Sequence, residues 1–512
     1  MKVKKTISII LAALLCLSLT ACVQNKASDV PVKDNTTQGN KTTEDNKAPA
    51  ATSGKIFDKP YKISMLYGDA VGSWPYKEDW YVKKTIEEKT GASLEVILVD
   101  STQLTAKINM IMASGDLPDI ISYIGMSLIR RYALEGPYVN IEENIDKLPN
   151  YKKWAEKNKA SLDKYRVSDS KIYSLPNIGG GITNTRFWFY RNDVFAKYNL
   201  TAPKTPEELY EVLKSLKTYE PDSYPFNYRE FGNLPPSWGV FQGVYYDESA
   251  DKFKYGQIED NFKQVVEFLR KLYAEKLIPP DIYSMDAKAW TDLMVQGKTF
   301  ITLDYVGRVD GLVESGKKLN PDYSLTYMPP LNGKFPYSPV EYDSMTISKT
   351  GRNEEKINNL LKYMDWFYSD EAREVLSWGQ EGVTYKTENG KKKFLDINIR
   401  PTYGILARGW FGLTDPDAIK STYSDMCINA LNEQPKYELK ENPASYLAFN
   451  DQETEVSATV GAPINKFANG EISKFVIGEK SMDEWDEFVK SVKDMGLDDF
   501  LKIYESAYSR LK

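Results

Sequence analysis

Histidine is missing from this chain: none occurs among its 512 residues. Its absence excludes histidine-centred catalytic triads, zinc sites with imidazole ligands and histidine general bases. An enzyme built on this sequence would have to use carboxylates, lysine, tyrosine, serine or cysteine. The sequence also has no internal repeat and no long basic run, and its formal net charge is -6 at pH 7. Such an acidic chain is a poor candidate for binding nucleic acid.

Long hydrophobic runs are scarce, and the one that stands out lies at the N-terminus. Three lysines precede an apolar stretch at 9–19 that is too short to span a membrane comfortably, an order typical of a signal peptide. The stretch ends in LTAC at 19–22, which resembles the bacterial lipobox. We therefore expect residues 1–21 to be removed and Cys22 to carry lipid. The lipid would anchor the protein stably, because it has two acyl chains. The alternative is an ordinary secretory signal with a chance cysteine.

Cysteine is rare as well. Cys16 would leave with the signal peptide and Cys22 would be lipidated, so the mature chain would keep only Cys427 and could form no internal disulfide. A large domain does not need one, and we expect Cys427 to be a buried small hydrophobe. Residues 1–21 contain three lysines and no acid, so their removal changes the formal charge from -6 to -6 - 3 = -9.

Large apolar side chains are almost absent from residues 22–55, which are rich in Asn, Thr, Lys, Asp and Ala. Such a segment cannot bury enough apolar surface to offset the entropy lost on ordering. We expect a disordered tether here, followed by one folded region at 56–512.

The first hundred residues of the folded region alternate between strand and helix patterns. Strands are predicted at 61–67, 94–99 and 119–123, and helices at 79–90 and 103–113. This β-α-β-α-β order predicts a parallel sheet covered by helices, an α/β fold. Ligands of such sheets lie beyond the carboxyl ends of the strands.

A second α/β unit and a helical C-terminus follow. Strands are predicted at 187–191 and 300–304. Helices are predicted from Thr205-Pro206, which has an N-cap pattern, and at 261–274 and 356–368. Two further helices are predicted at the C-terminus, one from Trp485 and one from Leu497, with a break at Gly496.

Six segments carry a resemblance that no single segment would establish. They are ASGDLPDI at 113–120, KIYSLP at 171–176, FWFYRNDVFAKYNLTAPKTPEEL at 187–209, QGKTFITLDY at 296–305, WGQEGVTYK at 378–386 and WDEFVKSVKDMGLDDFLKIYESAYSRL at 485–511. In this order, and with the lipobox, the chain resembles the extracellular solute-binding proteins of ABC importers, in the superfamily of maltose-binding proteins. The branch it resembles most is that of the large lipoproteins that bind oligosaccharides in Gram-positive bacteria.

The resemblance implies a two-lobe, type II periplasmic-binding-protein fold with hinge strands and extra C-terminal helices. Crossings between the lobes are expected near 182–190 and 326–345. Lobe 1 would then comprise approximately 57–185 plus a return segment after 340, and lobe 2 approximately 190–330 plus the C-terminal helices.

The resemblance also implies a function without chemistry. The mature protein would be a monomer, lipid-anchored on the extracytoplasmic face of the cell membrane. It would capture a carbohydrate between closing lobes and deliver it to the permease subunits of an importer. No cofactor is expected. Some relatives carry a calcium loop before the motif YPF. TYEPDSYPF at 218–226 lacks a DxDxDG pattern, so no metal is expected there.

Aromatic residues, 13% of the chain, suit a sugar ligand, because the C–H faces of sugar rings stack on aromatic faces and the hydroxyls bond planar polar groups. Strand ends, expected crossings and Gly- or Pro-rich loops supply the candidate ligand contacts, which are Trp74, Tyr123, Trp188, Trp238, Asp304, Tyr305, Trp378, Glu381 and Trp410. Trp188 could instead be a core residue, because FWFY alternates and one face must be buried. Glu381 could merely cap a turn.

Other functions stay open on the residues alone. A carboxylate-based glycan-processing enzyme is possible because acids are plentiful, although no pair is marked. A binding protein for a peptide, or a co-receptor for a sensor kinase, is possible because this fold serves many ligands. Gly311 to Lys318 is similar to a P-loop, but Lys318 replaces the hydroxyl that binds magnesium, so no nucleotide site is predicted.

Overall fold

The computed structural model describes residues 54–69, 75–177, 185–334, 343–396, 398–407, 410, 412–437 and 442–511. The predicted signal peptide, the anchor at Cys22, nearly all of the tether and the candidate Trp74 lie outside these ranges. Among the described helices, none is long and apolar enough to cross a bilayer.

Thirteen strands are described, numbered in chain order. They are β1 (Tyr61–Asp69), β2 (Ala92–Asp100), β3 (Ile120–Gly125), β4 (Leu175–Pro176), β5 (Arg186–Arg191), β6 (Phe226–Tyr228), β7 (Val244–Asp247), β8 (Lys252–Tyr255), β9 (Ile301–Tyr305), β10 (Leu325–Met328), β11 (Asp343–Ile347), β12 (Tyr385–Glu388) and β13 (Lys391–Phe394).

Nineteen α-helices are described in the same ranges. They are α1 (Tyr81–Thr90), α2 (Leu104–Ser114), α3 (Met126–Tyr132), α4 (Pro149–Lys157), α5 (Lys159–Asp163), α6 (Asn192–Lys197), α7 (Pro206–Tyr219), α8 (Asp260–Ala274), α9 (Ala287–Val295), α10 (Val309–Lys317), α11 (Glu354–Trp366), α12 (Asp370–Ser377), α13 (Ile399–Tyr403), α14 (Pro416–Lys420), α15 (Asp425–Glu433), α16 (Asp451–Val456), α17 (Ala462–Ile477), α18 (Trp485–Asp494) and α19 (Leu497–Ser509). The helix α10 spans the P-loop-like stretch, so these residues are not a phosphate-binding loop.

The first sheet confirms the predicted β-α-β-α-β order. Its strands lie in the order β2-β1-β3-β11-β4, and β1 runs parallel to both β2 and β3. Gly91 makes the first connection possible. Its φ of 75° ends α1, and a Cβ atom here would lie 2.1 Å from the carbonyl oxygen of Phe57.

The second sheet has the order β10-β5-β9-β6. Its β6 and β9 run parallel, while β5 runs antiparallel to β9 and to β10. The register places Arg186 opposite Tyr305, so β5 begins at the edge where β9 ends. This edge carries the candidate site of the second sheet.

Two separate hydrophobic cores surround the two sheets. One is built from residues within 57–175 and 345–410, and the other from residues within 187–331 and 427–507. We refer to the regions around these cores as lobe 1 and lobe 2.

The chain passes between the lobes three times. The first passage lies between Asn177 and Thr185 and the second between Lys334 and Asp343, and residues 178–184 and 335–342 lie outside the described ranges. The crossings expected near 182–190 and 326–345 stay predictions. The third passage was not predicted. It runs from Leu413, which packs on lobe 1, to Tyr423, which packs on lobe 2.

The carboxyl edges of the two sheets lie on either side of these passages. In lobe 1, Pro176 ends β4 at the edge where β3 ends, because both strands pair with the start of β11. In lobe 2, Arg186 starts β5 at the edge where β9 ends. Nine residues lie between Pro176 and Arg186, so their Cα atoms are at most about 36 Å apart. The carboxyl edges are the places at which α/β sheets bind ligands.

Candidate ligand-binding site

The lobe 2 edge carries a cluster of charged side chains. Its members come from the start of β5, the residues after β6 and the end of β9, and we call this set the arginine cluster: Arg186, Arg229, Glu230, Asp304, Tyr305 and Arg308. The antiparallel β5–β9 pairing and the parallel β6–β9 pairing place these three chain segments side by side.

Asp304 is the buried centre of the arginine cluster, with 3% of its surface exposed. Arg229 donates from Nε to Asp304 Oδ2 at 2.8 Å and from Nη2 to Oδ1 at 3.1 Å. The backbone N–H of Tyr305 donates to Asp304 Oδ1 at 2.6 Å. This forked geometry is the strong form of the arginine–carboxylate pair. Asp304 therefore fixes the position of Arg229.

Tyr305 lies beneath a second guanidinium. The Arg186 guanidinium carbon lies 4.2 Å from the Tyr305 ring centroid, and its Nη2 donates to Tyr305 Oη at 2.5 Å and to Glu230 Oε2 at 2.7 Å. Tyr305 Oη donates in turn to Glu230 Oε1 at 3.3 Å. Burial raises the pKa of Tyr305 above its ordinary value, so this hydroxyl stays protonated at neutral pH.

Glu230 stays ionised at neutral pH. Burial alone would raise its pKa, but attraction to Arg186 and hydrogen bonds from Arg186 and Asn233 outweigh this effect, and the pKa lies below its ordinary value of 4.5. With Asp304 paired to Arg229, the arginine cluster holds three guanidinium groups against two carboxylates.

Near the end of β1, lobe 1 carries a group of four buried aromatic rings. We call Tyr67, Tyr76, Trp80 and Trp410 the aromatic cluster. Ring centroids of Tyr67 and Trp410 lie 5.2 Å apart, those of Tyr67 and Tyr76 5.2 Å, and those of Tyr76 and Trp80 5.4 Å, all tilted or edge-to-face. These are favourable aromatic geometries.

Local backbone fixes the aromatic cluster at the end of β1. Asp69, the last residue of β1, accepts the backbone N–H of Tyr76 at 3.1 Å, which ties the loop before α1 to the strand. Gly404 lets the Trp410 segment approach, because a Cβ atom here would lie 2.5 Å from the Trp80 ring. The Trp410 indole N–H is buried and has no acceptor among the described residues.

The structure thus combines two α/β lobes with the aromatic cluster in lobe 1 and the arginine cluster in lobe 2. Bacterial extracellular solute-binding proteins match residues 74–374, more than half of the chain. This chain belongs to that family.

The solute-binding protein resembles several characterised proteins along most of its length. It is 24% identical over 471 residues to the lipoprotein LipO of Bacillus subtilis (strain 168), with 83% of this chain and 88% of LipO covered. It is 22% identical over 482 residues to FusA, a fructooligosaccharide ABC transporter substrate-binding protein of Streptococcus pneumoniae serotype 4 (strain ATCC BAA-334 / TIGR4), with 84% and 86% covered.

A solved structure shows the same fold. The crystal structure of the alginate-binding protein AlgQ2 without calcium ion superposes with a TM-score of 0.72 at 23% identity, and the match covers 89% of this chain and 99% of that one. The predicted family and the predicted two-lobe α/β fold are thereby confirmed.

The structure brings some of the predicted contacts of this solute-binding protein to the carboxyl edges. Asp304 and Tyr305 lie in the arginine cluster, and Trp410 lies in the aromatic cluster. Tyr123 lies near the end of β3 with a φ of 57°, an unusual backbone for an aromatic residue. Such strained residues concentrate at ligand sites, which supports the prediction for Tyr123.

Two predicted tryptophans have other surroundings. Trp188 is fully buried in the lobe 2 core and stacks on Phe226, with ring centroids 5.5 Å apart. The structure therefore corrects its assignment from ligand contact to core packing, the alternative that the alternation of FWFY allowed. Trp238 is half-buried in a short turn, and its ring packs against Phe268 at 5.2 Å.

Trp378 and Glu381 support a hairpin. Trp378 is 3% exposed, packs against Tyr385 in a small third cluster, and donates from Nε1 to Asp415 Oδ2 at 2.9 Å. Glu381 accepts the backbone N–H of Thr387 at 3.1 Å, which closes the turn between Trp378 and β12. The structure corrects the assignment of Trp378 to packing and gives Glu381 the turn-capping role considered above.

The family-like motif ASGDLPDI has a structural role at the opposite edge of lobe 1. Asp119 pairs with Arg352 at 2.9 Å and with Lys356 at 2.9 Å, and accepts the backbone N–H of Ser64 at 3.0 Å. Burial would raise its pKa, but these bonds from Lys356, Ser64 and Arg352 outweigh burial and lower the pKa of Asp119.

In the segment at 218–226, which was compared with a calcium loop, the carboxylate of Glu220 is bonded to other side chains of the protein. Glu220 accepts from Lys197 at 3.1 Å and from the hydroxyl of Tyr198. Across the described ranges, no group of three or more acidic, cysteine or histidine side chains is arranged to hold a metal ion. The expectation that no calcium binds here stays a prediction.

Sequence reasoning missed Arg186, Arg229 and Glu230. The signal that could have found them is position: Arg229 and Glu230 directly follow the strand FNY, and Arg186 directly precedes FWFYR. Charged residues at both ends of apolar strands face the edge rather than the core.

Proposed function

We propose that this protein captures an oligosaccharide between its two lobes outside the cell and delivers it to an ABC importer. The observation that carries the proposal is the arginine cluster, a set of hydrogen-bonding side chains at the carboxyl edge of the lobe 2 sheet. Guanidinium and carboxylate groups bind the hydroxyls of sugars, and the buried aromatic cluster holds the lobe 1 edge in shape. The name of the relative FusA, which specifies fructooligosaccharide, supports a sugar ligand.

Closure of the two lobes around the ligand marks the protein as loaded for the importer. The two edges belong to separate cores joined by three chain passages, so the lobes can rotate without disturbing either core. A ligand that contacts both edges stabilises the closed arrangement, because only that arrangement forms both sets of contacts. The importer then recognises closed protein, and the sugar is released unaltered.

A glycan screen tests the sugar proposal. The full-length chain, purified in detergent, is heated with members of a glycan library, with a peptide library as the parallel arm. A bound glycan raises Tm by mass action, and small-angle X-ray scattering of that complex shows a smaller radius of gyration. Peptide hits without glycan hits contradict the proposal, as do new reducing ends appearing in the bound glycan.

The lipid anchor at Cys22 belongs to the same proposal. It is supported by the lipobox-like LTAC and by the name of the relative LipO. Cells expressing wild type are expected to retain the protein in the membrane fraction, and cells expressing Cys22→Ala are expected to release it. Equal retention of both proteins in the membrane fraction would contradict lipid anchoring at Cys22. Light scattering of the detergent-purified protein tests the expected monomer.

A further inference from the structure

The arginine cluster contains one cation more than it can neutralise. Arg229 is paired with Asp304, and Arg186 with Glu230. Arg308, the third cation, has its Nε 3.8 Å from Asp304 Oδ1 and donates no hydrogen bond to any residue the structure describes. Asp304 already accepts from Arg229 and from a backbone N–H, so Arg308 shares a carboxylate that is in use.

Arg308 is placed to meet a ligand. It ends the turn that follows β9, beside Tyr305, and its side chain is 41% exposed. Its guanidinium carbon lies 5.9 Å from the ring centroid of Trp290, which limits the directions that the side chain can take. The guanidinium is thus held at the carboxyl edge of the sheet with its N–H groups unused.

Arg186 adds unused donors beside it. Only Nη2 of its three nitrogens is bonded, to Glu230 and Tyr305. Its Nε is buried without an acceptor among the described residues, and its Nη1, which is not shut off from solvent, has none either. The side chain is 10% exposed and its Nε is buried, so Nη1 is the donor that a ligand can reach.

The excess positive charge and the unused N–H donors favour a carboxylate as the ligand group. A guanidinium binds a carboxylate through two parallel N–H bonds, and the bond between charged groups is about twice as strong as a neutral one. A neutral hydroxyl satisfies one donor and leaves the excess charge unneutralised. The chain as a whole is acidic, at -6, so a positive edge is a local feature that acts within a Debye length of about 8–10 Å.

We propose that the ligand is an acidic oligosaccharide that carries uronic acid carboxylates, and that Arg308 and Arg186 bind one of these carboxylates. The inference rests on the proposed function and specifies its substrate class. The charge selection is made by lobe 2.

Matched pairs of sugars test the inference. The full-length chain in detergent is titrated calorimetrically with α-1,4-linked galacturonate and galactose trisaccharides, and with β-1,4-linked mannuronate and mannose trisaccharides. One charge-assisted, bidentate contact is expected to give a uronate at least about tenfold tighter binding than its neutral partner. The advantage is expected to shrink as salt is raised from low to high concentration.

Substitutions at an exposed position locate the contact without a risk to folding. Arg308→Gln is expected to weaken uronate binding about tenfold and neutral-sugar binding by a smaller factor, because only the uronate loses a charge-assisted, forked contact. Arg308→Lys keeps the charge but loses the fork, so its effect is expected to lie between. Lys490→Gln removes the same charge from an exposed position on α18 and is expected to change nothing.

The outcomes separate the two claims. Equal affinity for a uronate and its neutral partner, or unchanged uronate binding by Arg308→Gln, overturns the inference and leaves the proposed function standing. Failure of both uronates to bind also overturns it. The proposed function falls only when the neutral trisaccharides and the whole glycan library fail too.

Discussion

The carboxyl edges of the two sheets are held together by different interactions. The lobe 1 edge is the aromatic cluster, whose rings pack edge-to-face and whose Trp410 indole N–H has no acceptor among the described residues. The lobe 2 edge is the arginine cluster, in which every carboxylate is tied to a guanidinium. One edge is positioned by packing, and the other by directional hydrogen bonds.

This difference has a consequence for what each edge recognises. The buried rings of the aromatic cluster determine the shape of the lobe 1 edge through packing and carry no charge. A network of paired charges holds its donors rigidly and discriminates by charge and geometry. We expect substitutions in lobe 2 to affect both folding and selectivity, and conservative substitutions in lobe 1 to affect mainly affinity.

The largest expected effect is that of Asp304→Ala. It removes a buried carboxylate, which leaves Arg229 with Glu230 at 3.3 Å as its remaining partner and Arg308 without its nearest carboxylate. Breaking a buried pair costs about 3–5 kcal/mol of the free energy of unfolding. Urea denaturation measures this cost, and ligand binding is expected to be lost as well. Asp292→Ala, which removes an exposed carboxylate of α9, is the control and costs about 0.5 kcal/mol. Similar costs for both variants would contradict the assignment of Asp304 as the centre of the cluster.

Trp410→Ala is expected to rank second. The ring is 5% exposed and contacts Tyr67 and Tyr76, so its loss opens a cavity and costs about 3 kcal/mol, measured by urea denaturation. Trp410→Phe keeps the ring contact and removes an N–H that has no acceptor among the described residues, so it is expected to cost less than about 1.5 kcal/mol. If Trp410→Phe proves as damaging as Trp410→Ala, packing does not hold this edge.

Acid is expected to weaken the charged edge but not the aromatic one. The pKa of Glu230 is lower in the folded protein than its ordinary value of 4.5, so the unfolded chain binds more protons and stability falls as the pH drops below about 4.5. Urea midpoints measured from pH 7 to pH 3.5 are expected to decline less steeply in Glu230→Gln. Trp410→Phe serves as the comparison, and its decline is expected to match that of wild type. Parallel slopes in all three proteins would show that Glu230 does not contribute.

The smallest expected effect is that of Glu381→Gln. Its carboxylate caps a turn by accepting one exposed backbone N–H, and a glutamine oxygen can accept the same bond. Ligand affinity, measured by calorimetry, is expected to stay within about twofold of wild type. A larger loss of affinity would indicate that Glu381 contacts the ligand.

Most of the fold could be predicted from local patterns. The strands β1 and β2 and the helix between them were predicted within about two residues, because apolar alternation and Gly91 mark them without reference to distant residues. The third passage between the lobes could not be predicted in this way. It has no strand or repeat to mark it, and it exists only because separate cores collect residues before and after it.

The candidate site was only partly predictable. Asp304 and Tyr305 end a strand whose pattern FITLDY is plain in the sequence, so their edge position could be predicted. Burial of Trp188 and Trp378 could not be separated from exposure, because tryptophan suits a core as well as a groove. Arg186 joins the site through the register between β5 and β9, which pairs residues far apart in the chain.

The buried Cys427 can report on transient opening of the lobe 2 core. It is the only cysteine among the described residues, and it lies fully buried where α15 meets the end of β9, with its Sγ 3.6 Å from the carbonyl oxygen of Val306. Burial raises the pKa of this thiol to about 12, so it does not react while the core is closed. The rate at which a thiol reagent modifies Cys427 therefore times transient openings of lobe 2, and a ligand that spans both lobes should slow that reaction.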